Sequence, residues 1–137
     1  MEVTKQFFDM PMEDKVVYYS KDFKKVPRLC TSHGYNNQER QLWRDCLRLV
    51  YYGLGDEFMH LYHQKPTTFR DIIVKFVAEV EGLATGILKL ISQGLGLGED
   101  YLSRSLLSEG AKRININHYP PCPDPSLTLG ISQHTIQ

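Results

Sequence analysis

The sequence has little cysteine, and what it has is widely spaced. Its 137 residues include three cysteines, Cys30, Cys46 and Cys122. No pair of them has the close spacing of a structural zinc site, and an odd number of distant thiols does not make a disulfide framework. We therefore expect reduced thiols, as in a cytoplasmic protein.

The sequence also lacks an excess of charge and a long apolar run. Lys plus Arg and Asp plus Glu number 16 each, so the formal net charge is zero. Nucleic-acid binders carry a basic excess, so nucleic acid is not an expected partner. No apolar run approaches the roughly 20 residues of a membrane span. The polar start MEVTKQFFDM also excludes a signal peptide, so a membrane is not an expected partner either.

The clearest predicted element is an amphipathic helix from Thr68 to about Gln93. Apolar residues recur there at steps of three and four, which gives one apolar face over about seven turns. Thr68 is predicted to cap the N-terminus with Asp71 at the capping-box position, and the glycines from Gly94 onward to end the helix. A stripe this long is typical of a packing face, so we expect a broad layer to lie against it.

Shorter elements flank this helix. The start of the chain predicts a helix, a break at Pro11 and a short second helix, and residues 20–40 are predicted to be loop. The run LWRDCLRLVYY favours a strand with Leu47, Leu49 and Tyr51 on one side. A short helix is predicted in GEDYLSRSLL, followed by strands at RININHY and LTLGI. The proline-rich turn PPCPDPS separates these two strands.

Five motifs in order along the chain carry a resemblance to a known family. They are FFDMPMEDK, RLCTS followed by WRDCLRL, KPTTFRDII, ILKLISQGLGL and RININHYPPCPDPSLTLGISQH. Together they resemble the plant-type iron(II)- and 2-oxoglutarate-dependent dioxygenases. The likeness is to the branch with hyoscyamine hydroxylase-like and salicylate or flavone hydroxylase-like members. It spans nearly the whole chain, from Phe7 to His134.

This resemblance implies an α+β fold. Residues 1–110 would form a mainly helical N-terminal layer with one long amphipathic helix. Residues 111–137 would begin the β-core, with the first one or two strands of an incomplete double-stranded β-helix, or jelly roll. It further implies that the chain is truncated at both ends and begins within a helix. An incomplete barrel exposes strand edges and apolar helix surface, so we expect low solubility, partial order or a borrowed partner.

The resemblance also assigns three residues near the end of the sequence to a site. Asn117 and Tyr119 match the N-x-Y pair that hydrogen-bonds 2-oxoglutarate in the family, and alternate residues of a strand share a face. The alternative is that Asn117 satisfies a turn and Tyr119 packs. His134 matches the first ligand of an iron site made of two histidines and a carboxylate. Ile136, however, stands where the family has Asp, and the second histidine and the Arg-x-Ser that binds 2-oxoglutarate are absent.

The implied intact enzyme is an oxidoreductase that hydroxylates or desaturates a small specialised metabolite, using iron(II), O2 and 2-oxoglutarate. The chain as given is expected to be inactive. Both cofactors belong to the intact family member, and whether this chain binds either is left open. His134 would then be a solvated histidine. We interpret the HTIQ ending as an exon junction read into an intron or as a truncated gene model. The alternative is a non-catalytic pseudoenzyme or interaction fragment, which associates with itself or an intact paralogue through exposed apolar surface.

Three weaker candidate sites remain. His60 and His63 would share a helix face, but Glu57 alone does not complete a metal site. Residues that border the substrate entrance in relatives are explained as well by loop and packing roles: Arg28, Thr31, Ser32 and Trp43. The same holds for tyrosines that could line an aromatic pocket: Tyr18, Tyr19, Tyr51 and Tyr52. The run GLGLG lacks a lysine and follows a helix, so it does not predict a phosphate-binding loop.

Overall fold

The computed structural model describes residues 2–20, 22, 24–31, 42–51, 66–107 and 112–131. Its helices are α1 (Glu2–Asp9), α2 (Met12–Lys15), α3 (Phe69–Gly94) and α4 (Tyr101–Leu106), and a short 3-10 helix (Val16–Tyr18) follows α2. Its strands are β1 (Arg28–Thr31), β2 (Asp45–Tyr51) and β3 (Lys112–His118). The combination of helices with a sheet confirms the predicted α+β class.

The chain divides into two compact units. The first, called here the sheet unit, is drawn from residues 1–51 and 113–137. The second, the helical unit, is drawn from residues 52–112. The predicted boundary between a helical region and a β-core near residue 110 concerns the organisation of the intact protein and stays a prediction.

The three strands form one sheet whose two faces carry different side chains. Their order is β1-β2-β3, and β1 runs antiparallel to β2 with Leu29 opposite Leu47 and Cys30 opposite Cys46. Directly opposite residues share a face, and successive residues alternate between faces. One side, the leucine face, carries Leu29, Leu47, Leu49 and Tyr51. The other side, the arginine face, carries Arg28, Cys30, Cys46 and Arg48.

The leucine face forms the core of the sheet unit. Its four side chains are between 0% and 4% exposed, which confirms that Leu47, Leu49 and Tyr51 lie together on one buried side. Helix α1 adds Val3, Phe7 and Phe8 to the buried set. The ring of Phe8 stacks on His118 of β3, with centroids 4.6 Å apart. Burial of each such apolar side chain is worth about 1.5–3 kcal/mol.

Two strand predictions were wrong. β1 lies within the stretch that the sequence predicts as loop, because four residues are too few to show a pattern. It forms by pairing with β2, a long-range contact that local propensity does not contain. The predicted strand LTLGI is not formed either. Among the described residues, this segment makes one isolated β-bridge, between Leu129 and Leu42, and no continuous strand pairing.

Helix α3 confirms the long helix predicted from the apolar repeat. Thr68 is the N-cap residue, as predicted, but its side chain makes no capping hydrogen bond and its backbone is helical (φ −88°, ψ 0°) rather than extended. The predicted glycine stop is confirmed. Gly96 has φ +69°, a left-handed conformation that glycine adopts without strain, and its N–H bonds to the carbonyl of Gln93.

The apolar face of α3 is buried at one end and open along most of its length. Phe69, Ile73 and Val77, in the first turns, are 5% exposed or less. Near the other end, Ser92 accepts a hydrogen bond from the backbone N–H of Leu102 in α4. The large apolar side chains that are exposed, called here the open apolar row, are 42–70% exposed: Ile72, Phe76, Val80, Leu83, Ile87, Leu90 and Ile91. Among the described helices, none combines the length and hydropathy needed to cross a membrane.

Candidate functional site

The candidate site is built on the exposed side of β3. Burial alternates strictly along this strand: Ile114, Ile116 and His118 are partly buried, and Arg113, Asn115 and Asn117 are exposed. Tyr119 follows directly after the strand and is 49% exposed. Asn117 and Tyr119 therefore lie in one exposed row, together with Asn115, as the strand period requires.

Arg48 connects this row to the arginine face of the sheet. Its Nε donates a hydrogen bond to Oδ1 of Asn115 at 3.3 Å. Arg48 is itself directly opposite Arg28 in the β1–β2 register. The exposed row of β3 and the arginine face of β1 and β2 are thus on the same side of the sheet, where Arg28, Cys30 and Cys46 are buried.

Trp43 holds the turn that follows Tyr119. Its indole Nε1 donates to the carbonyl oxygens of Pro120 at 3.1 Å and Pro121 at 3.3 Å. Its backbone N–H donates to the carbonyl of Leu129 at 2.7 Å. These contacts connect Trp43, two positions before β2, to the start of the proline-rich turn and to Leu129 beyond its end. The sequence alone allows either a packing role for Trp43 or a place at the substrate entrance. In the structure, its hydrogen bonds give it a structural role.

The ring of Tyr119 lies against the backbone of Gly130. A Cβ atom placed on Gly130 would be 3.5 Å from that ring, an ordinary van der Waals distance. Gly130 is the glycine of the predicted G-x-x-x-H motif. The structure therefore brings the residue predicted to bind 2-oxoglutarate next to the segment that leads toward His134.

A pair of thiols lies at the centre of the arginine face. The Cys30 thiol donates to the carbonyl of Cys46 at 3.5 Å. A hydrogen bond from the Cys46 thiol is the main cause that lowers the pKa of Cys30 from 9.0 to about 6. Burial opposes this shift, and the charges of Arg28, Arg48 and Arg44 add to it. The same interaction raises the pKa of Cys46, so the pair readily loses one proton and strongly retains the other.

Several predicted site residues lie outside the described part of the chain, and others have structural roles. Outside it are His134, His60, His63, Glu57, Ser32 and Tyr52. Tyr51 is buried in the leucine face and Tyr18 packs on Phe7 at 6.2 Å, so these two do not form an exposed aromatic pocket. In the described ranges, no group of three or more His, Cys, Asp or Glu side chains could hold a metal ion. The iron role of His134 stays a prediction.

Comparison with known proteins gives close relatives over nearly the whole chain, although no family model matches it. It is 38% identical over 135 residues to Protein DOWNY MILDEW RESISTANCE 6 of Arabidopsis thaliana. It is 38% identical to flavanone 3-dioxygenase 2 of Oryza sativa subsp. japonica and 32% identical to hyoscyamine 6-dioxygenase of Hyoscyamus niger. Each match covers 98% of this chain. The resemblance to the plant iron(II)- and 2-oxoglutarate-dependent dioxygenases is confirmed.

A solved structure has the same fold over this stretch. The crystal structure of JOX2 in complex with 2OG, Fe and JA matches 96% of the chain with a TM-score of 0.78 and 27% identity. The chain spans 39% of that protein and 39–41% of the three sequence relatives. Iron(II) and 2-oxoglutarate, predicted as the cofactors of the intact dioxygenases, agree with the 2OG and Fe bound by JOX2.

Proposed function

We propose that this chain supplies the strand that orients 2-oxoglutarate in an oxidoreductase acting on a small specialised metabolite by hydroxylation or desaturation. The observation that carries the proposal is the common exposure of Asn117 and Tyr119 on one face of β3. The amide and the phenol are neutral donors, suited to the oxygens of a keto acid. Arg48, on the same face, adds positive charge near an anionic co-substrate. The described residues therefore fit 2-oxoglutarate.

The described residues do not fit iron, because they contain no metal-binding cluster. His134 is the ligand that we propose from the sequence, and Ile136 occupies the position of the family's carboxylate. When bound, the iron of such oxygenases offers open coordination positions to a co-substrate and O2. We assign no step to iron in this chain, and we propose that the chain alone does not turn over. We also propose a cytoplasmic location, which rests on its three widely spaced cysteines.

A 2-oxoglutarate titration of the whole chain, followed by calorimetry, tests the orienting role. Tyr119→Phe should weaken binding about tenfold or more, because one hydrogen bond to a charged ligand is lost. Tyr101→Phe removes the hydroxyl of an exposed tyrosine in α4 and is the matched control, for which we expect no change. Wild-type affinity in both Tyr119→Phe and Asn117→Ala, or no binding by the wild type, would contradict the proposal.

An anaerobic titration with iron(II) and 2-oxoglutarate tests the proposed lack of turnover. Iron that binds both protein and 2-oxoglutarate gives a visible metal-to-ligand charge-transfer band, and we expect none for this chain. A saturable band that disappears in His134→Ala would show that the missing ligands come from elsewhere, such as a second chain. It would contradict the proposed inactivity while leaving the roles of Asn117 and Tyr119 in place.

A second candidate function is non-catalytic association with another copy or with an intact paralogue. The open apolar row of α3 favours it, since seven large apolar side chains at 42–70% exposure form a contiguous stripe on one helix. Stable assembly of the purified chain would support this function, and a monomer would contradict it.

A further inference from the structure

Cys30 and Cys46 face each other on neighbouring strands of the sheet unit. They are directly opposite in the antiparallel register of β1 and β2, so their side chains lie on the same face of the sheet. Both thiols are free in the structure, and the Cys30 sulfur is 3.5 Å from the backbone carbonyl oxygen of Cys46. The proposed handling of 2-oxoglutarate uses neither thiol. The pair is therefore a cluster of two nucleophiles to which the proposed function gives no role.

The register gives this pair the backbone geometry that a disulfide needs. Opposite residues of an antiparallel pair have Cα atoms about 4.5 or 5.5 Å apart, depending on their position in the hydrogen-bond ladder. A disulfide spans Cα separations of about 4.4–6.8 Å, so either position is within its range. A bond between the two sulfur atoms therefore requires side-chain rotation rather than a rearrangement of the strands.

Exposure and charge distinguish the two thiols. Cys30 lies on the outer strand β1 and is 9% exposed, whereas Cys46 lies on the central strand β2 and is 1% exposed. The hydrogen bond from the Cys46 thiol lowers the pKa of Cys30 to about 6, and the charges of Arg28, Arg48 and Arg44 act in the same direction. The same hydrogen bond raises the pKa of Cys46, which keeps its proton. Cys30 is thus the thiol that ionises and the one that a small reagent reaches first.

We propose that Cys30 and Cys46 form a peroxide-reactive site, which hydrogen peroxide converts into a disulfide that joins β1 to β2. The inference is independent of the proposed function. The Cys30 thiolate attacks one peroxide oxygen, the O–O bond breaks, and hydroxide leaves with the bonding electron pair, so that Cys30 becomes a sulfenic acid. The Cys46 sulfur then attacks the Cys30 sulfur, the S–O bond breaks, and the hydroxyl leaves as water with the Cys46 proton. Two thiols lose two electrons in total, and the peroxide is reduced to two waters.

Peptide mapping of the folded wild type after treatment with one equivalent of hydrogen peroxide tests the inference. Trypsin places the two cysteines on separate peptides, residues 29–40 and 45–48. With the remaining thiols alkylated and no reductant present, mass spectrometry should find these peptides joined and two hydrogens lighter than their sum. We expect this link to exceed any link to Cys122 by at least about tenfold, because groups held in contact react orders of magnitude faster than groups that must first meet.

Three variants separate the two steps of the reaction. Cys46→Ser keeps a hydrogen-bond donor beside Cys30 but removes the second thiol, so the Cys30 sulfenic acid should persist and react with dimedone. Cys30→Ser removes the first nucleophile and should give no dimedone adduct at Cys46. Cys122→Ser is the matched control, because Cys122 lies outside the three strands, and it should form the disulfide as the wild type does.

Three results would overturn the inference. The first is a wild-type map without the Cys30–Cys46 link, or with links to Cys122 at equal yield. The second is a Cys30–Cys46 link that occurs only in a covalent dimer on a non-reducing gel. The third is an equal yield of the link in the folded chain and in urea, since the fold would then contribute nothing. None of these measurements needs a variant, so the inference stays testable if the serine changes prevent folding.

The oxidised chain provides an independent measurement of whether the native sheet accepts the bond. The disulfide would close a segment between residues 16 positions apart and so restrict the unfolded chain. We expect the urea midpoint of the sheet unit to rise on oxidation and to return to its starting value after reduction with dithiothreitol. A lower midpoint after oxidation would show that the bond forms at the expense of the sheet, contrary to the inference.

Discussion

The indole of Trp43 donates a hydrogen bond to the carbonyl oxygen of Pro120, which is 77 positions later in the chain, at 3.1 Å. The same nitrogen is 3.3 Å from the carbonyl oxygen of Pro121. This shared donor fixes the direction in which the chain leaves β3. Because Tyr119 directly precedes Pro120, the indole also holds the backbone beside Tyr119, one of the two residues proposed to bind 2-oxoglutarate.

We expect Trp43→Phe to destabilise the sheet unit by about 1 kcal/mol, the typical net value of a partly exposed hydrogen bond. Phenylalanine keeps an aromatic ring but has no donor for Pro120. Urea denaturation followed by circular dichroism measures the stability, and calorimetry measures 2-oxoglutarate binding, which should weaken as Tyr119 becomes less fixed. Unchanged values for both would show that other contacts hold the turn.

The leucine face should be far more sensitive to truncation than the open apolar row. Leu47 is fully buried on the central strand, so Leu47→Ala should cost about 2–5 kcal/mol of unfolding free energy. Leu90→Ala is the matched change at 70% exposure and should cost less than about 0.5 kcal/mol, since alanine also favours the helix. Similar losses for both variants in urea denaturation would mean that the row around Leu90 is covered in solution.

The elements with a long, regular pattern could be predicted from the sequence, and those made by distant pairing could not. The apolar repeat gives α3, and the alternation of RININH gives β3. β1 has four residues and exists through its register with β2. The missing side-chain hydrogen bond at Thr68 shows the same limit, because the residue type does not reveal that its backbone is helical rather than extended.

The candidate site was predictable in the same uneven way. Asn117 and Tyr119 follow from a motif resemblance together with the strand period. Arg48 does not, because its importance depends on a side-chain bond to Asn115 across 67 positions of sequence. The alternation in LRL and in NIN places successive side chains on opposite faces of each strand. That Arg48 and Asn115 lie on the same face of the sheet follows only from β2 and β3 being neighbours and from their hydrogen bond.

The low pKa of Cys30, about 6, should be visible in its reactivity. Cys30 is buried, so its alkylation should be slow. In a Cys122→Ser background, the alkylation rate by iodoacetamide should still rise with pH through a midpoint near pH 6, because the thiolate is the reactive form. Cys46→Ala removes the main stabilising hydrogen bond and should move the midpoint toward 9.0. Arg48→Gln should move it by less, in the same direction. A midpoint near 9.0 in the parent protein would contradict the thiol pairing described here.

The same shift predicts how stability depends on pH. The pKa of Cys30 is about 6 in the folded chain and 9.0 as its ordinary value, so its ionisation favours the folded state fully above pH 9.0. That contribution decreases below pH 9.0 and is lost as the pH falls through about 6. Cys46 has a raised pKa and acts in the opposite direction above pH 9.0. Urea denaturation between pH 5 and 9 should therefore give the smallest stability difference between the parent and Cys30→Ala at the acidic end, where only the loss of the buried side chain remains.

The open apolar row of α3 should drive association of the chain. Leu83 and Leu90 are seven positions apart on one helix face, 66% and 70% exposed, with Ile87 between them. Residues at such spacing form the contact stripe of a helix that docks into an apolar groove. Sedimentation velocity should show assemblies of the wild type, and the double change Leu83→Gln with Leu90→Gln should shift the chain toward monomer.

A matched double change separates this row from general surface hydrophobicity. Met12 and Val17 are 57% and 59% exposed, but they belong to the sheet unit and not to the row. Met12→Gln with Val17→Gln should leave the assemblies intact, because it removes a similar exposed apolar area without interrupting the stripe. A wild type that sediments as a monomer would contradict association outright. Equal dissociation by the two double variants would instead assign association to diffuse apolar surface, with α3 having no special part.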